Sequence, residues 1–351
     1  MADFILYGAY GYTGRLITKY CKEYGLTPLL SGRNNDKLAA LANEFGFPYQ
    51  AVSLSDTEAL KDLLHDAHVV MHAAGPFIHT AKAMLDVCLS TGTHYLDITG
   101  EIAVFSRAAK RDLAAHQANI MLMPGTGFDV VPTDCMAAYL KGKLPDATHL
   151  KLAFAWKGGG ISHGTAKTML LGLGRPGAIR KEGKIIPVPP AYKTEIFPFT
   201  GEKGMQAVTI PWGDIFTAYH TTGIPNIETY FAAPLRQQKT MKWSRYLGPI
   251  LRTSFVQNYL RKKIEARPAG PSDDRREKAR AYVYGEVSNA KGEKRAARLD
   301  TIEGYTLTAR TALMITKRVI EGDWKKGYHT PAGLYGADLV MELADTRRED
   351  I

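Results

Sequence analysis

The chain has 351 residues, of which 45% are apolar, and its formal net charge is +10. This length and apolar content exclude a small disulfide-rich scaffold and a disordered polymer, and they predict two folded domains. No signal peptide and no apolar run long enough to span a bilayer stand out, so we expect a cytoplasmic protein. The widely separated cysteines predict buried thiols and no metal site; they are Cys21, Cys88 and Cys135.

The first 125 residues alternate short apolar runs with helical patterns. Predicted strands cover residues 4–7, 28–30, 49–53, 68–72, 95–98 and 120–123. Predicted helices cover residues 14–23, 36–44, 57–65, 80–89 and 104–116. This alternation predicts an α/β fold with a doubly wound parallel sheet, which we assign to residues 1–140.

The pattern changes after Pro145, where proline, glycine and aromatic residues become frequent. Predicted strands cover 150–156, 207–211, 229–233 and 281–287, and turn residues at 289–292 predict a hairpin after the last of them. We therefore expect a second, α+β domain over residues 145–305. Predicted helices at 307–320 and 332–343 form a C-terminal region, 306–351, which we expect to pack back on the first domain.

A glycine-rich turn joins the first predicted strand to the first predicted helix. Gly8 allows a tight turn, Gly11 lets the backbone approach a pyrophosphate, and Gly14 permits close packing of the helix on the strand. Tyr12 and Thr13 lie in the same turn, where the helix-start amides and the helix dipole attract an anion. The pattern predicts a dinucleotide site, and a plain strand-to-helix turn that needs glycine is the alternative.

The end of the second predicted strand indicates which dinucleotide is bound. A site selecting NAD usually ends this strand with Asp or Glu, which binds the ribose hydroxyls. Here the strand ends with Ser31-Gly-Arg33 and has no carboxylate. A guanidinium can pair with a 2′-phosphate and stack on adenine, and Ser31 offers a hydroxyl. We therefore predict that NADP is the cofactor; Arg33 as a solvated surface residue is the alternative.

Unusual residue clusters follow the fourth, fifth and sixth predicted strands, where ligands gather in an open α/β sheet. Gly75 and Pro76 shape a loop that we expect to pass close to the cofactor. The candidate catalytic residues are Asp97, Glu101 and Asp129. Each has a structural alternative, because Asp97 can hold a loop, Glu101 can favour a helix dipole, and Asp129 can cap a helix.

Six motifs in order resemble the saccharopine dehydrogenase-like oxidoreductases, in the branch that includes trans-acting enoyl reductases. They are Gly8-Ala-Tyr-Gly-Tyr-Thr-Gly14, Ser31-Gly-Arg33, Ala74-Gly-Pro-Phe77, Thr93-His-Tyr-Leu-Asp-Ile-Thr-Gly-Glu101, Gly127-Phe-Asp-Val-Val-Pro-Thr-Asp134 and Thr330-Pro-Ala-Gly-Leu-Tyr-Gly336. The resemblance covers the N-terminal domain and the C-terminal tail, and it is weaker over residues 150–263. It implies an NADP-binding Rossmann domain joined to an α+β domain, with a cleft between them.

The expected activity is hydride transfer to a C=C or C=N bond of a small organic substrate. The family resemblance does not imply oxidation of saccharopine, because no set of cations for a substrate with several carboxylates can be assigned. Apolar segments at 185–190, 196–199 and 210–212 instead favour a lipophilic, enoyl-type substrate, although structural packing explains them equally well.

Two other functions fit parts of the sequence. Thr126, Tyr139 and Lys143 imitate the spacing of the catalytic residues in short-chain dehydrogenase/reductases. We expect Gly142 to end the helix before Lys143, which would prevent the tyrosine and lysine from sharing a face. A non-catalytic NADP-binding sensor or scaffold is the third interpretation.

The positive charge is concentrated between residues 239 and 300, which contain sixteen Lys and Arg against seven Asp and Glu. Apolar residues recur at helical spacing over 242–263, with Pro249 predicting a kink. This segment predicts contact with a membrane surface or an acidic carrier protein, and packing on its own or a partner subunit is the alternative. We expect a homo-oligomer that does not bind nucleic acid, since no nucleic-acid-binding motif is present.

Overall fold

The computed structural model describes residues 2–200 and 204–351, which form two units. The first unit contains Met1–Val131 and Tyr305–Leu334, and the second contains Pro132–Gly304 and Tyr335–Ile351. The first boundary thus falls in the first turn of the helix after the sixth strand, between residues 131 and 132. The C-terminal region is divided between the units at residue 334. Each unit is built around one sheet.

Sixteen strands are present in the described part of the chain. In chain order they are β1 (Phe4–Tyr7), β2 (Pro28–Gly32), β3 (Tyr49–Ala51), β4 (Val69–His72), β5 (His94–Asp97), β6 (Met121–Met123), β7 (His149–Lys157), β8 (Gly177–Lys181), β9 (Lys184–Val188), β10 (Thr194–Phe197), β11 (Met205–Thr209), β12 (Asn226–Phe231), β13 (Arg280–Ser288), β14 (Lys294–Ile302), β15 (Gly327–Tyr328) and β16 (Arg347–Asp350).

The same residues form fifteen α-helices and two short 3-10 helices. The α-helices are α1 (Tyr12–Tyr20), α2 (Asn35–Phe45), α3 (Thr57–Leu64), α4 (Phe77–Thr91), α5 (Ile102–Ala109), α6 (Asp112–Gln117), α7 (Val131–Lys143), α8 (His163–Gly172), α9 (Asp214–Thr222), α10 (Leu235–Ser244), α11 (Gly248–Leu251), α12 (Ser254–Glu265), α13 (Asp273–Glu277), α14 (Gly304–Ile320) and α15 (Pro331–Tyr335). The 3-10 helices are Cys21–Tyr24 and Leu339–Glu342.

The first sheet is parallel throughout, in the order β15-β6-β5-β4-β1-β2-β3. The predicted doubly wound parallel sheet is therefore confirmed. Its strands read as continuous apolar runs because helices cover both faces of such a sheet. On one side a buried cluster joins side chains of β1, β4 and β5 to the apolar faces of α3 and α4.

The chain returns to the first unit after residue 304 and enters the second unit again at residue 335. Strand β15 pairs with β6 as the seventh strand of the sheet. Helix α14 bonds to the loop after β6, since the Thr308 hydroxyl accepts from the amide of Phe128 at 3.0 Å. The Thr311 hydroxyl donates to the carbonyl of Thr126 at 2.7 Å. Residues 305–334 therefore complete the first sheet and fix one of its loops.

The second sheet is mixed, in the order β10-β11-β12-β7-β13-β14-β16, with the β8–β9 hairpin paired to β12. Only β12 and β7 are parallel among these neighbours. The predicted hairpin is confirmed as β13–β14, where the side-chain oxygen of Asn289 accepts from the amides of Lys291 and Glu293. A second, α+β unit follows the parallel one, as the sequence predicts.

Two local predictions are wrong, and the break predicted at Pro249 is confirmed. The predicted helix at 104–116 is broken into α5 and α6 between residues 109 and 112. The predicted helix at 332–343 ends early, and Gly336 follows it with φ +87°. The amphipathic segment 242–263 is divided among α10, α11 and α12. Pro249 lies in the first turn of α11, at the expected break.

The three cysteines are free and buried, which confirms that prediction. Among the residues that the structure describes, no helix has the length and apolar character needed to cross a bilayer. Within the same residues, no group of three or more His, Cys, Asp or Glu side chains could hold a metal ion.

Candidate functional site

The glycine turn after β1 has no room for a side chain at Gly8 or at Gly14. Gly8 has φ +89°, and a Cβ atom there would lie 2.7 Å from the amide nitrogen of Ala74. A Cβ atom at Gly14 would lie 2.3 Å from the carbonyl oxygen of Gly8. The amide of Gly11 donates to that same oxygen at 3.0 Å and starts helix α1. The turn therefore brings bare backbone to the carboxyl end of β1, as a pyrophosphate site requires.

The N-terminus of α1 has no capping side chain and no acidic residue in its first turn. By contrast, Asn34 caps α2 and Asp56 caps α3 with their side chains. The amides of Thr13 and Gly14 lie in the first turn of α1, where N–H groups have no carbonyl partner within a helix. Tyr12 opens the helix, with its ring edge-on to Tyr305 at 5.0 Å. These residues fit a bound diphosphate.

Arg33 and Ser31 have different environments at the end of β2. The Arg33 side chain is exposed and has no hydrogen bond or ion pair in the described part of the chain. Ser31 is fully buried, and its hydroxyl donates to the carbonyl of Gln50 at 2.8 Å. Its own carbonyl accepts from the amides of Gly8 and Ala9. Ser31 therefore holds the turn in place, and its hydroxyl proton is directed to Gln50.

Two further residues near Arg33 were missed by sequence reasoning. The ring of Tyr10 packs on Gly32, where a Cβ atom would lie 2.8 Å from the Tyr10 Cε1 atom. The Lys37 ammonium lies 5.8 Å from the centroid of that ring. The signal was available, because Asn34 as N-cap places Lys37 in the first turn of α2. An aromatic ring and a second cation thus lie beside Arg33 at the end of β2.

The loop after β4 contains Gly75 and Pro76, which are joined by a cis peptide bond. The Thr80 hydroxyl donates to the carbonyl of Ala74 at 2.7 Å and accepts from Nε2 of His72 at 3.0 Å. Burial lowers the pKa of His72 to about 3, so its imidazole is neutral. His72 and Thr80 therefore hold this loop beside Gly8.

Glu101 caps a helix other than the one it precedes. Its two carboxylate oxygens accept from the amides of Phe77 and Ile78, at 2.8 and 2.9 Å, at the start of α4. Burial raises the pKa of Glu101, while these two amides oppose that shift. Because both oxygens are engaged, Glu101 positions the loop after β4, and the structural alternative fits it better than a catalytic role.

Asp97 is fully buried, and its side chain accepts hydrogen bonds from two loops. One oxygen accepts from the Tyr95 hydroxyl at 2.6 Å, and the other accepts from the amides of Thr99 and Gly125, each at 2.9 Å. Burial raises the pKa of Asp97 to about 7 against the effect of these three hydrogen bonds. Asp97 therefore holds the loops after β5 and β6.

Asp129 is the candidate carboxyl group without a structural partner. It is partly exposed in the loop after β6 and has no hydrogen bond or ion pair within the described residues. It lies against Gly100, where a Cβ atom would be 2.6 Å from Asp129 Oδ2. Burial, and then the charge of Glu101, raise the pKa of Asp129 to about 7. Among Asp97, Glu101 and Asp129, this is the side chain whose carboxyl group accepts no hydrogen bond within the described residues.

The residues of the short-chain dehydrogenase alternative have structural partners. Helix α7 continues through Lys143, so the expected break at Gly142 is wrong and Tyr139 shares a face with Lys143. Both polar ends contact Asp350 of β16, at 2.8 Å each. The Thr126 hydroxyl is buried and donates to the carbonyl of Asp97 at 2.9 Å.

The apolar segments of the second unit have unequal exposure. Phe197 and Phe199 are buried in the core on one face of the second sheet, so they do not line a cavity as expected. A separate aromatic cluster surrounds Phe154, whose ring centroid lies 4.7 Å from that of Trp212 and 5.0 Å from that of Phe231. Trp156, Trp212 and Phe231 are half-buried. This cluster is partly exposed and lies near the carboxyl ends of β7 and β12.

Comparison with known proteins identifies the first domain. Residues 4–123 match the family model of the saccharopine dehydrogenase NADP binding domain. The lipid droplet localized protein of Caenorhabditis elegans is 26% identical over 275 residues, covering 70% of this chain and 63% of the relative. The trans-acting enoyl reductase of Mycobacterium leprae is 29% identical over 199 residues, covering 51% of this chain and 47% of the relative. The chain thus spans less than two thirds of the length of these relatives.

Solved structures share the fold over the whole chain. Saccharopine dehydrogenase (L-Glu forming) from Saccharomyces cerevisiae superposes with a TM-score of 0.68 at 12% identity, covering 100% of both chains. Homospermidine synthase from Legionella pneumophila, solved in complex with NAD, gives a TM-score of 0.69 at 10% identity, covering 100% of this chain and 91% of the other. The glycine turn and the match over residues 4–123 lead to one conclusion: the chain carries an NADP-binding domain of the saccharopine dehydrogenase type.

Proposed function

We propose that the chain is an NADPH-dependent reductase that acts on a C=C or C=N bond of an organic substrate. The observation that carries this proposal is the Asp129 carboxyl group, which has no partner within the described residues and a pKa raised to about 7. It follows β6 at the carboxyl edge of the sheet that carries the glycine turn after β1. A reductase needs a proton donor at this edge, beside the nicotinamide.

The proposed chemistry divides the reduction between cofactor and protein. When bound, NADPH supplies the hydride to one end of the double bond. Asp129 donates its proton to the other end and is then reprotonated from solvent. The nearby charge of Glu101 favours the protonated form of Asp129, and Glu101 itself stays fixed by the two amides of α4. Asp97 keeps the loop that carries Asp129 attached to β5.

A lipophilic substrate, such as an enoyl compound, is supported by two observations. One relative is named a trans-acting enoyl reductase, and another is named for lipid droplets. In this chain, the half-buried rings of Trp156, Trp212 and Phe231, packed around the buried Phe154, offer apolar surface at strand ends of the second unit. Apolar rings of this kind suit an acyl chain better than a polar amino acid.

The direct test begins with the cofactor and proceeds to the substrate. NADPH and NADH are titrated into the full chain by fluorescence, and we expect tighter binding of NADPH. Enoyl thioesters of increasing chain length and cyclic imines are then screened by the loss of NADPH absorbance. Absence of binding by either nucleotide would refute the reductase proposal. Tight NADPH binding without consumption across the screen would favour the sensor or scaffold function instead.

A short-chain dehydrogenase mechanism is the second candidate, favoured by the continuous α7 that carries Tyr139 and Lys143 on one face. We predict that Tyr139→Phe leaves NADPH turnover unchanged, because the phenol donates to Asp350. Turnover of the purified variant is compared with that of the unmodified chain under identical conditions. A collapse in kcat with normal NADPH affinity would support the second candidate and contradict the first.

A further inference from the structure

Helices α10, α11 and α12 carry an exposed set of apolar and basic side chains, called here the aromatic basic surface (residues 235–265). None of the twelve residues of α12 is buried. Phe255 is 83% exposed, Trp243 is 66% exposed and Tyr246 is 63% exposed. Leu235, Leu247, Ile250 and Tyr259 are also exposed. So many large apolar side chains in one short stretch exceed the scattered ones normal on a soluble surface.

The segment is held on the second unit by polar contacts at one side. The Gln257 side chain donates to the carbonyls of Leu170 and Leu251, and Lys167 of α8 pairs with Glu265 at 2.9 Å. The exposed rings are not used in these contacts. Trp243 contacts Tyr246, with ring centroids 5.8 Å apart, and the Arg245 guanidinium lies 4.5 Å from the Tyr246 centroid.

The charge of the surface is strongly one-sided. It contains eight Lys and Arg and a single acid, Glu265, which Lys167 already neutralises. None of the eight cations forms an ion pair with a carboxylate in the described residues; they are Arg236, Lys239, Lys242, Arg245, Arg252, Arg261, Lys262 and Lys263. The positive charge is therefore available to an external anion.

We propose that the aromatic basic surface docks on an anionic phospholipid surface. A second copy of the chain that docked through the same surface would place these cations against each other, which electrostatic repulsion disfavours. An acidic protein would neutralise the cations, but it would not by itself provide an apolar medium for Phe255, Leu247 and Ile250. An anionic lipid interface provides both, since indole and phenol rings lie at the headgroup level and cations attract the phosphates.

This docking is independent of the reductase proposal, because it can be measured on the full chain without any substrate. The protein is floated with vesicles of phosphatidylcholine alone and of phosphatidylcholine mixed with phosphatidylglycerol. We expect partition onto the anionic vesicles at low salt, little partition onto the neutral ones, and a marked loss at high salt. Equal partition onto both kinds of vesicle would overturn the proposal.

A charge variant and a matched control locate the binding. Replacing Lys239, Lys242 and Lys262 by Gln should weaken partition onto anionic vesicles by about 100-fold, since each cation near such a surface contributes about a fivefold factor. The control replaces three exposed lysines elsewhere in the same unit by Gln, at Lys181, Lys184 and Lys291. The control should partition as the unmodified chain does. Equal losses in both variants would overturn the assignment of the surface.

An apolar variant separates lipid from other partners. Trp243→Ser combined with Phe255→Ser should reduce partition at least about tenfold, because both rings leave the apolar medium. An unchanged far-UV circular dichroism spectrum and an unchanged melting temperature in every variant show that the fold is intact. Binding of poly-glutamate without binding of anionic vesicles would replace lipid by an acidic protein, and sedimentation as a dimer that the variants abolish would replace it by a second copy. Either result overturns the proposal.

Discussion

Asp129→Asn should lower kcat by about 100- to 10,000-fold, the usual contribution of a positioned general acid. The amide has nearly the same shape as the carboxylic acid but cannot supply a proton in this pH range. NADPH affinity should stay the same, because the replacement leaves the glycine turn untouched. The measurement is steady-state turnover with the substrate found in the screen, together with a fluorescence titration of NADPH.

The pH profile distinguishes proton donation from a structural role. With a pKa of about 7, Asp129 is protonated below neutrality and loses its proton as the pH rises. Reduction uses the protonated form, so kcat of the unmodified chain should fall as the pH rises through 7. The residual rate of Asp129→Asn should lack this decrease. Asp62→Asn, at an exposed carboxylate of α3, is the matched control and should behave as the unmodified chain.

A pH profile that is identical in Asp129→Asn and the unmodified chain would contradict the assignment, and so would full activity of the variant. Either result would mean that the proton comes from another group or from water. Loss of both activity and NADPH binding would instead indicate that the replacement disturbs the loops after β5 and β6. The titration therefore has to accompany every kinetic measurement.

Arg33→Asp should raise the Kd for NADPH by about 100-fold, while NADH binding stays the same or becomes tighter. This increase in Kd follows from the loss of a charge-assisted hydrogen-bonded pair, which contributes about 1.5–3 kcal/mol to binding. The new carboxylate also repels the 2′-phosphate and can accept hydrogen bonds from the ribose hydroxyls of NADH. The measurement is the ratio of the two Kd values, so a general loss of stability affects it little.

Two companion variants sharpen this test. Lys110→Asp makes the same change of charge at an exposed site of the same unit, and it should leave the ratio unchanged. Lys37→Gln should shift the ratio in the same direction as Arg33→Asp, but by less, because an ammonium cannot pair bidentately with the phosphate. An unchanged ratio in Arg33→Asp would rule out recognition of the 2′-phosphate by this guanidinium.

The first sheet was predictable because its strands and helices have distinct apolar periods in the sequence. The glycine spacing and the missing carboxylate after β2 then located the cofactor turn and Arg33 at the edge where ligands bind. Local pattern was sufficient for these features, since each depends on residues that are close together in the chain. Lys37 was predictable in the same way, because Asn34 as N-cap places Lys37 in the first turn of α2.

The roles of the three acidic residues needed the three-dimensional structure. Glu101 caps a helix that starts 24 residues earlier, and Asp97 binds the amide of Gly125, 28 residues later. These contacts depend on β4, β5 and β6 being neighbours in the sheet, which residue pattern alone does not specify. The absence of such contacts at Asp129, within the described residues, is what singles it out.

The C-terminal strand β16 was missed because Arg347–Asp350 contains no apolar residue. It is held by pairing with β14 at the edge of the second sheet, where charged side chains are usual. The β8–β9 hairpin was also missed. Its turn residues, Glu182 and Gly183, both have positive φ. A Gly in a short polar link between two apolar runs is a hairpin signal that the sequence did contain.

The return of the chain to the first sheet has a consequence for biosynthesis. Strand β15 and helix α14 follow the whole of residues 132–304, yet they supply the seventh strand and the hydrogen bonds that fix the loop after β6. The ribosome therefore synthesises residues 132–304 before it synthesises β15, and the nucleotide-binding sheet can be completed only after that. During synthesis β6 remains an open edge, so a nascent chain stalled before residue 327 exposes a template for unwanted strand pairing.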